Sequence, residues 1–103
     1  MPQRPEIVCI CGSARFIEEM REINRQLTLA GVIVVAPTEV SDDITAEQRA
    51  LLGELHLRKI DLADRVVVVN TGGYIGDSTS REIGYARAAG KPVAFTGPSY
   101  GQP

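Results

Sequence analysis

Four short apolar runs alternate with three longer segments whose apolar residues recur every three or four positions, and glycine or proline separates most of them. That alternation implies a three-layer αβα domain of the flavodoxin or Rossmann-like kind, built on a four-stranded parallel sheet. Short links favour right-handed crossovers, and the strand order expected is 2-1-3-4, with the switch point between the first and third strands. No repeat, low-complexity tract or linker divides the 103 residues, so a single domain, 1–103, is expected.

The first strand is read over Glu6 to Cys11, ended by Gly12-Ser13. From about Ala14 to Ala30, the residues Phe16, Ile17, Met20, Ile23, Leu27 and Ala30 line one helical face, and Gly31 stops the helix. Val32 to Ala36 is a second strand, closed by Pro37. The polar, acidic stretch from Thr38 to Thr45 reads either as a connection or as a flap over a site. Thr45-x-x-Gln48 can cap a second helix that runs to about Leu62. On a helical wheel this segment buries Leu51, Leu52, Leu55, Leu62 and Ala63, with Ile60 at the margin, Lys59 inside the arc and His56 beside it.

Arg65 to Val69 carries four consecutive valines, too apolar for a half-exposed strand, and Asn70 to Asp77 is glycine-bearing turn chemistry. A third helix spans about Ser78 to Ala89, Gly90 ends it, and Lys91 to Phe95 forms the fourth strand before the tail GPSYGQP.

Thirteen acidic against eleven basic residues, a net charge of -2, give no electrostatic case for nucleic acid or a membrane surface, so a small discrete ligand is expected. The amino-terminal residues have no signal-like apolar core, and the run from Ala30 to Ala36 is far below the roughly 18 residues that span a bilayer. A cytoplasmic protein is expected. Cys9 and Cys11 read as buried reduced thiols; with one histidine and scattered carboxylates, no metal-ligand spacing is visible. Gly72-Gly73-x-x-Gly76 is not the dinucleotide fingerprint, and no cofactor is expected. So small a domain leaves apolar surface uncovered, which points to a homodimer or higher homo-oligomer.

Chemistry concentrates where the third strand feeds the third helix, because ligands of parallel sheets bind at the carboxyl edge and helix N-termini offer unpaired amides. Glu82 has two readings there: Thr79-x-x-Glu82 fits a capping box, and a carboxylate in the first turn can also react. His56 precedes Asp64 by eight residues, about 12 Å back along a helix antiparallel to a strand that rises about 16 Å, so it should reach the same edge. Tyr74 either stacks on a ligand or is an ordinary loop tyrosine.

Three patches then resemble the nucleoside 2-deoxyribosyltransferase superfamily and its branch that hydrolyses deoxynucleoside 5′-monophosphates. Cys11-Gly12-Ser13-Ala14-Arg15 is similar to the branch's phosphate-holding loop, and the run from Leu57 to Val68 to the helix and strand that lead to the site. Arg81-Glu82-Ile83-Gly84-Tyr85-Ala86, followed by Gly90-Lys91-Pro92-Val93, resembles the nucleophile motif. The resemblance implies an N-glycosidase or N-deoxyribosyltransferase in which Glu82 attacks the sugar of a nucleoside or nucleotide, and Ser13 and Arg15 hold a phosphate. Gly12, Asn70, Gly73, Tyr74 and Ser80 complete the candidate substrate contacts. Where the family has a sugar-orienting aspartate, this chain has His56, which can act as a general acid. The loop before Glu82 is about two residues longer than the family's. The rival readings are a non-catalytic nucleotide or nucleotide-sugar binding module and a flavodoxin-like partner-binding subunit.

Overall fold

A computed structural model describes residues 4–98. Strands β1 (Ile7–Gly12), β2 (Ile33–Val35), β3 (Arg65–Val69) and β4 (Val93–Phe95) form one parallel sheet in the order β2-β1-β3-β4, as expected. Side chains alternate across the central strands. Ile10 and Val69 meet Phe16 and Met20 under helix α1 (Ile17–Leu29), while Cys9, Cys11, Val66 and Val68 meet the opposite layer of α2 (Ala46–Leu62) and α3 (Asp77–Ala88). No helix among the described residues is long and apolar enough to cross a membrane.

Several boundaries differ from expectation for local reasons. The segment expected to be helical from Ala14 begins with a 3-10 turn, Ala14–Phe16: the Ser13 side chain accepts the Arg15 N–H, and the Ser13 carbonyl accepts the Phe16 N–H at 2.9 Å. β2 and β4 are three residues each, shorter than read, since both are edge strands and Pro37 and Pro92 flank them. Gly31 and Gly90, at φ of +90° and +76°, stop α1 and α3 as anticipated. The tail is described only through Pro98; residues 99–103 lie outside the described residues.

Helix α2 starts with the anticipated capping box, in which the Thr45 side chain accepts the Gln48 N–H and the Gln48 side chain accepts the Thr45 N–H. Its buried face is not the one the leucines indicate. Leu51, Leu55 and Leu62 are 57%, 44% and 64% exposed, whereas His56, Leu57, Ile60 and the following Ala63 face the sheet. Both stripes have helical spacing, so a wheel weighted by leucine count selects the wrong one; only the partners Cys9, Cys11, Val66 and Val68 select the other. Lys59 behaves as an amphipathic side chain, its Nζ donating to Ala36 O at 2.7 Å and to Thr38 Oγ1 at 3.3 Å. Across to α3, the Tyr85 hydroxyl donates to Asp61 at 2.7 Å and accepts from Arg58 at 3.0 Å.

Asp64 joins the starts of β1 and β3. It accepts from both terminal nitrogens of Arg4, at 2.8 and 3.0 Å, and from the Ile7 N–H at 2.8 Å. The Arg4 hydrogen bonds first, and then the Ile7 amide, hold its carboxyl well below the usual range.

Two outcomes check this architecture. Urea unfolding should show Ile60→Ala costing about 2–5 kcal/mol and Leu62→Ala within about 0.5 kcal/mol of the parent. Since the folded-state pKa of Asp64 is lowered, its stabilisation is complete above the unfolded value of about 3.9 and is lost as pH falls toward the folded one. Asp64→Asn should therefore flatten the acid limb of stability below about pH 4.

Candidate active site

The parallel pairing sets Gly12 beside Val69, so the loops that leave β1 and β3 emerge side by side. Glycine lets the strands approach there: a Cβ would lie 3.0 Å from both Met20 Sδ and the Val69 carbonyl, and one of them would have to give way by a few tenths of an ångström. The Tyr74 ring bridges the two loops. Arg15 stacks its guanidinium 3.7 Å from the ring centroid, and Phe16 meets the ring edge-on at 6.0 Å. Ser13 is half-buried at the turn, while Arg15 and Ser80 are exposed to solvent.

Beneath these loops, polar groups collect against the sheet. Helix α3 begins at Asp77 with Gly76 as its N-cap and no side-chain cap. The capping box read at Thr79 and Glu82 is therefore absent: Thr79 is already helical and buried, and Glu82 sits in the second turn. The glutamate turns inward. Its Oε1 lies 3.7 Å from His56 Nε2, with the Glu82 side chain 14% exposed and the imidazole 6%. The same Nε2 is 3.3 Å from Cys11 Sγ and 3.7 Å from Cys9 Sγ. His56 Nδ1 is buried and has no hydrogen-bond partner among the described residues.

The electrostatics follow from this crowding. Burial pushes the Glu82 carboxyl up, against an opposing pull from His56 and Cys11. For His56, burial is the largest single effect and lowers its pKa, but the hydrogen bond and negative charge of Cys9, with Glu82, outweigh it and the net direction is up. The thiols form a pair: the Cys11 hydrogen bond eases proton loss from Cys9, and that bond, with burial, pushes the Cys11 thiol up. The arrangement puts an imidazole, which can exchange a proton, 3.7 Å from a half-buried carboxylate, which can act as a nucleophile.

The remaining candidates have other surroundings. Asn70 is fully buried; its Nδ2 donates to Pro98 O at 2.6 Å and its Oδ1 accepts the Gly97 N–H at 2.8 Å. Both ends of its amide are thereby bonded to the 96–98 segment. Gly97 must be glycine, since a Cβ would lie 2.3 Å from the Asn70 carbonyl. Gly73 donates its N–H to that carbonyl at 2.7 Å, closing the turn Thr71–Gly73. A cavity of about 390 Å³ opens on the α1 side, lined by Glu19, Glu22, Thr71, Gly72, Thr96 and Gly97 among others. Glu82 and His56 do not line it, so this cavity and the paired imidazole and carboxylate are separate features.

The sequence reading missed the convergence of Cys9, Cys11 and His56, whose ligand atoms lie within 4.8 Å of one another. The strand spacing already placed both thiols on one face; what was hidden was which face of α2 meets them.

No protein-family model matches the chain, and a search of curated proteins gives no match. Solved structures do resemble it. A 2-deoxyribosyltransferase from the psychrotolerant bacterium Bacillus psychrosaccharolyticus superposes with a TM-score of 0.75 at 18% identity, over 94% of this chain and 76% of that one. A 2-desoxiribosyltransferase from Leishmania mexicana gives 0.71 at 19% identity, over 90% and 65%, and a conserved protein from Enterococcus faecalis V583 gives 0.64 at 21%, over 88% and 62%. The fold is thus of the 2-deoxyribosyltransferase-like, three-layer α/β class, and the chain spans less than two thirds of the latter two structures.

Replacing Asn70 with Ala should leave the Gly97 amide and Pro98 carbonyl without their partners, costing roughly 1–3 kcal/mol. Hydrogen exchange at the Gly97 amide should accelerate relative to the β1 amides, which checks that the segment loosens locally.

Proposed function

We propose that the protein is an N-glycosyl hydrolase or transferase that acts on a nucleoside or nucleoside 5′-monophosphate through Glu82. The observation that carries this reading is the Glu82 carboxylate, not engaged in capping, half-buried at the carboxyl edge of a parallel sheet and 3.7 Å from an imidazole whose pKa is raised. The likeness to 2-deoxyribosyltransferase structures supports the same substrate class.

In the mechanism, Glu82 Oε attacks the anomeric carbon as the bond to the base breaks, and the departing nitrogen takes the proton of His56 Nε2. The product is a glycosyl ester of Glu82 and a neutral base. Neutral His56 then accepts a proton from water or from a second base as that nucleophile opens the ester, which restores both groups. Partial burial strengthens these charge interactions, because less water screens them. Arg15 and the Ser13 hydroxyl flank the entrance on the β1 side, where a guanidinium and hydroxyl suit phosphate oxygens; Tyr74, already stacked on Arg15, offers a ring face to the base. The exposed ridge of Leu51, Leu55 and Leu62 on α2 supports a homo-oligomer, with a hydrodynamic mass above one chain in sedimentation.

Incubation with a panel of nucleosides and their 5′-monophosphates, followed by chromatography of free base, tests the reading. Release is expected, with Glu82→Gln reducing it by about 10³-fold or more and His56→Asn lowering kcat by about 10²–10⁴-fold. Arg15→Ala should raise KM for a monophosphate roughly 10- to 100-fold while leaving that of the nucleoside unchanged, the loss expected for a charge-assisted hydrogen bond. Saturable binding without base release would overturn catalysis and leave a nucleotide-binding module.

A further inference from the structure

We propose that Cys9, Cys11 and His56 form a site for a thiolate-preferring divalent cation of the zinc type, with Glu82 closing its fourth position. The donor atoms converge on one point from three elements. Cys9 and Cys11 project from the same face of β1, His56 comes down from α2, and Glu82 enters from α3.

The separations match tetrahedral coordination. Ordinary zinc–sulfur and zinc–nitrogen bonds at tetrahedral angles place sulfur and nitrogen roughly 3.6 Å apart, and nitrogen and carboxylate oxygen roughly 3.4 Å apart. The thiol sulfurs stand 3.3 and 3.7 Å from His56 Nε2, and Glu82 Oε1 stands 3.7 Å from it. All three thiol and imidazole donors lie within 4.8 Å of each other, so side-chain adjustments of about an ångström complete the cage.

The imidazole orientation is independent support. Nε2 faces both sulfurs and the carboxylate, whereas Nδ1 has no partner among the described residues. Nothing bonded to Nδ1 explains the ring's direction; it follows from the groups that face Nε2. Two thiolates, an imidazole and a carboxylate form a donor set that favours zinc-type ions over the hard cations magnesium and calcium, which take oxygen ligands. Binding is a simple exchange: the metal forms bonds to both sulfurs, Nε2 and Oε1, and every proton carried by the two thiols and by Nε2 leaves to solvent. Of the four side chains only Glu82 keeps appreciable exposure, which makes its side the entry path.

This site goes beyond glycosyl transfer and competes with it. A bound ion occupies the Nε2 lone pair and a Glu82 oxygen, so neither is free to donate a proton or attack a sugar. The metal acts as an inhibitor that shares the reactive centre. That inhibition, unlike the binding, rests on the function proposed above.

Cobalt(II) titration of the reduced, unmodified protein is the test, since thiolate–cobalt bonds give a near-ultraviolet charge-transfer band and tetrahedral cobalt an intense visible spectrum. Both are expected at one equivalent, with zinc displacing the cobalt stoichiometrically and Cys9→Ser weakening zinc at least 10-fold in competition with a chelating dye. An octahedral spectrum without the thiolate band would overturn the site and leave the glutamate chemistry untouched, even if the serine variant failed to fold. In the base-release assay, zinc at one equivalent should suppress the parent more than 10-fold, and Cys9→Ser by a smaller factor relative to that variant's own zinc-free rate. Full activity in a protein whose cobalt spectrum is tetrahedral would overturn the shared use of Glu82. A tetrahedral, thiolate-bound spectrum in a protein that releases no base from any substrate would uphold the metal site and remove the glycosidase reading instead.

Discussion

Everything at the carboxyl edge depends on the pairing of β1 with β3. Because Cys11 aligns with Val68 and Gly12 with Val69, the turn that carries Ser13 and Arg15 lies against the loop that carries Tyr74. The same pairing lays Cys9 and Cys11 beside Val66 and Val68 as a floor on which α2 and α3 rest. Slipping the strands by one residue would turn both cysteines toward α1 and leave His56 opposite isoleucine. The hydrophobic pattern therefore specifies more than a core: it decides which polar groups meet.

That meeting works against stability. An imidazole and a carboxylate held away from water lose hydration that a hydrogen bond to sulfur only partly replaces. Leucine at position 56 would suit the surrounding apolar residues Leu57, Ile60 and Val68 better on packing grounds. Local conflict of this kind, inside an otherwise consistent α/β pattern, is a common mark of a working site.

Much of the fold was legible because each strand is a continuous apolar run and α1 and α3 each stop at a glycine; β3 was read to the residue and α2 to its capping box. Two errors share a cause. On α2 two stripes had equal periodicity, and on α3 the Thr79-x-x-Glu82 pattern suggested a cap where the helix is already under way, so the choice belonged to tertiary partners that no local window contains. Once Gly76 begins α3, the turn at Thr79 no longer needs Glu82, and the carboxylate is delivered to the centre. The site's membership was thus half visible: Glu82 and His56 as neighbours of one edge, but not the sulfurs between them. The bonds from Asn70 to the 96–98 segment were not legible, since an asparagine after a strand looks the same whether or not it holds a distant backbone.

The Lys59 ammonium ties the carbonyl of Ala36 and the hydroxyl of Thr38 to α2, and the capping box at Thr45 fastens the other end of that segment to the same helix. Residues 38–45 therefore form a handle with both feet on one rod. Lys59 stands three positions beyond His56, so any tilt of the rod swings the handle and the imidazole together. A ligand that presses on this stretch from outside would be felt at the buried ring without any strand of the sheet having to move.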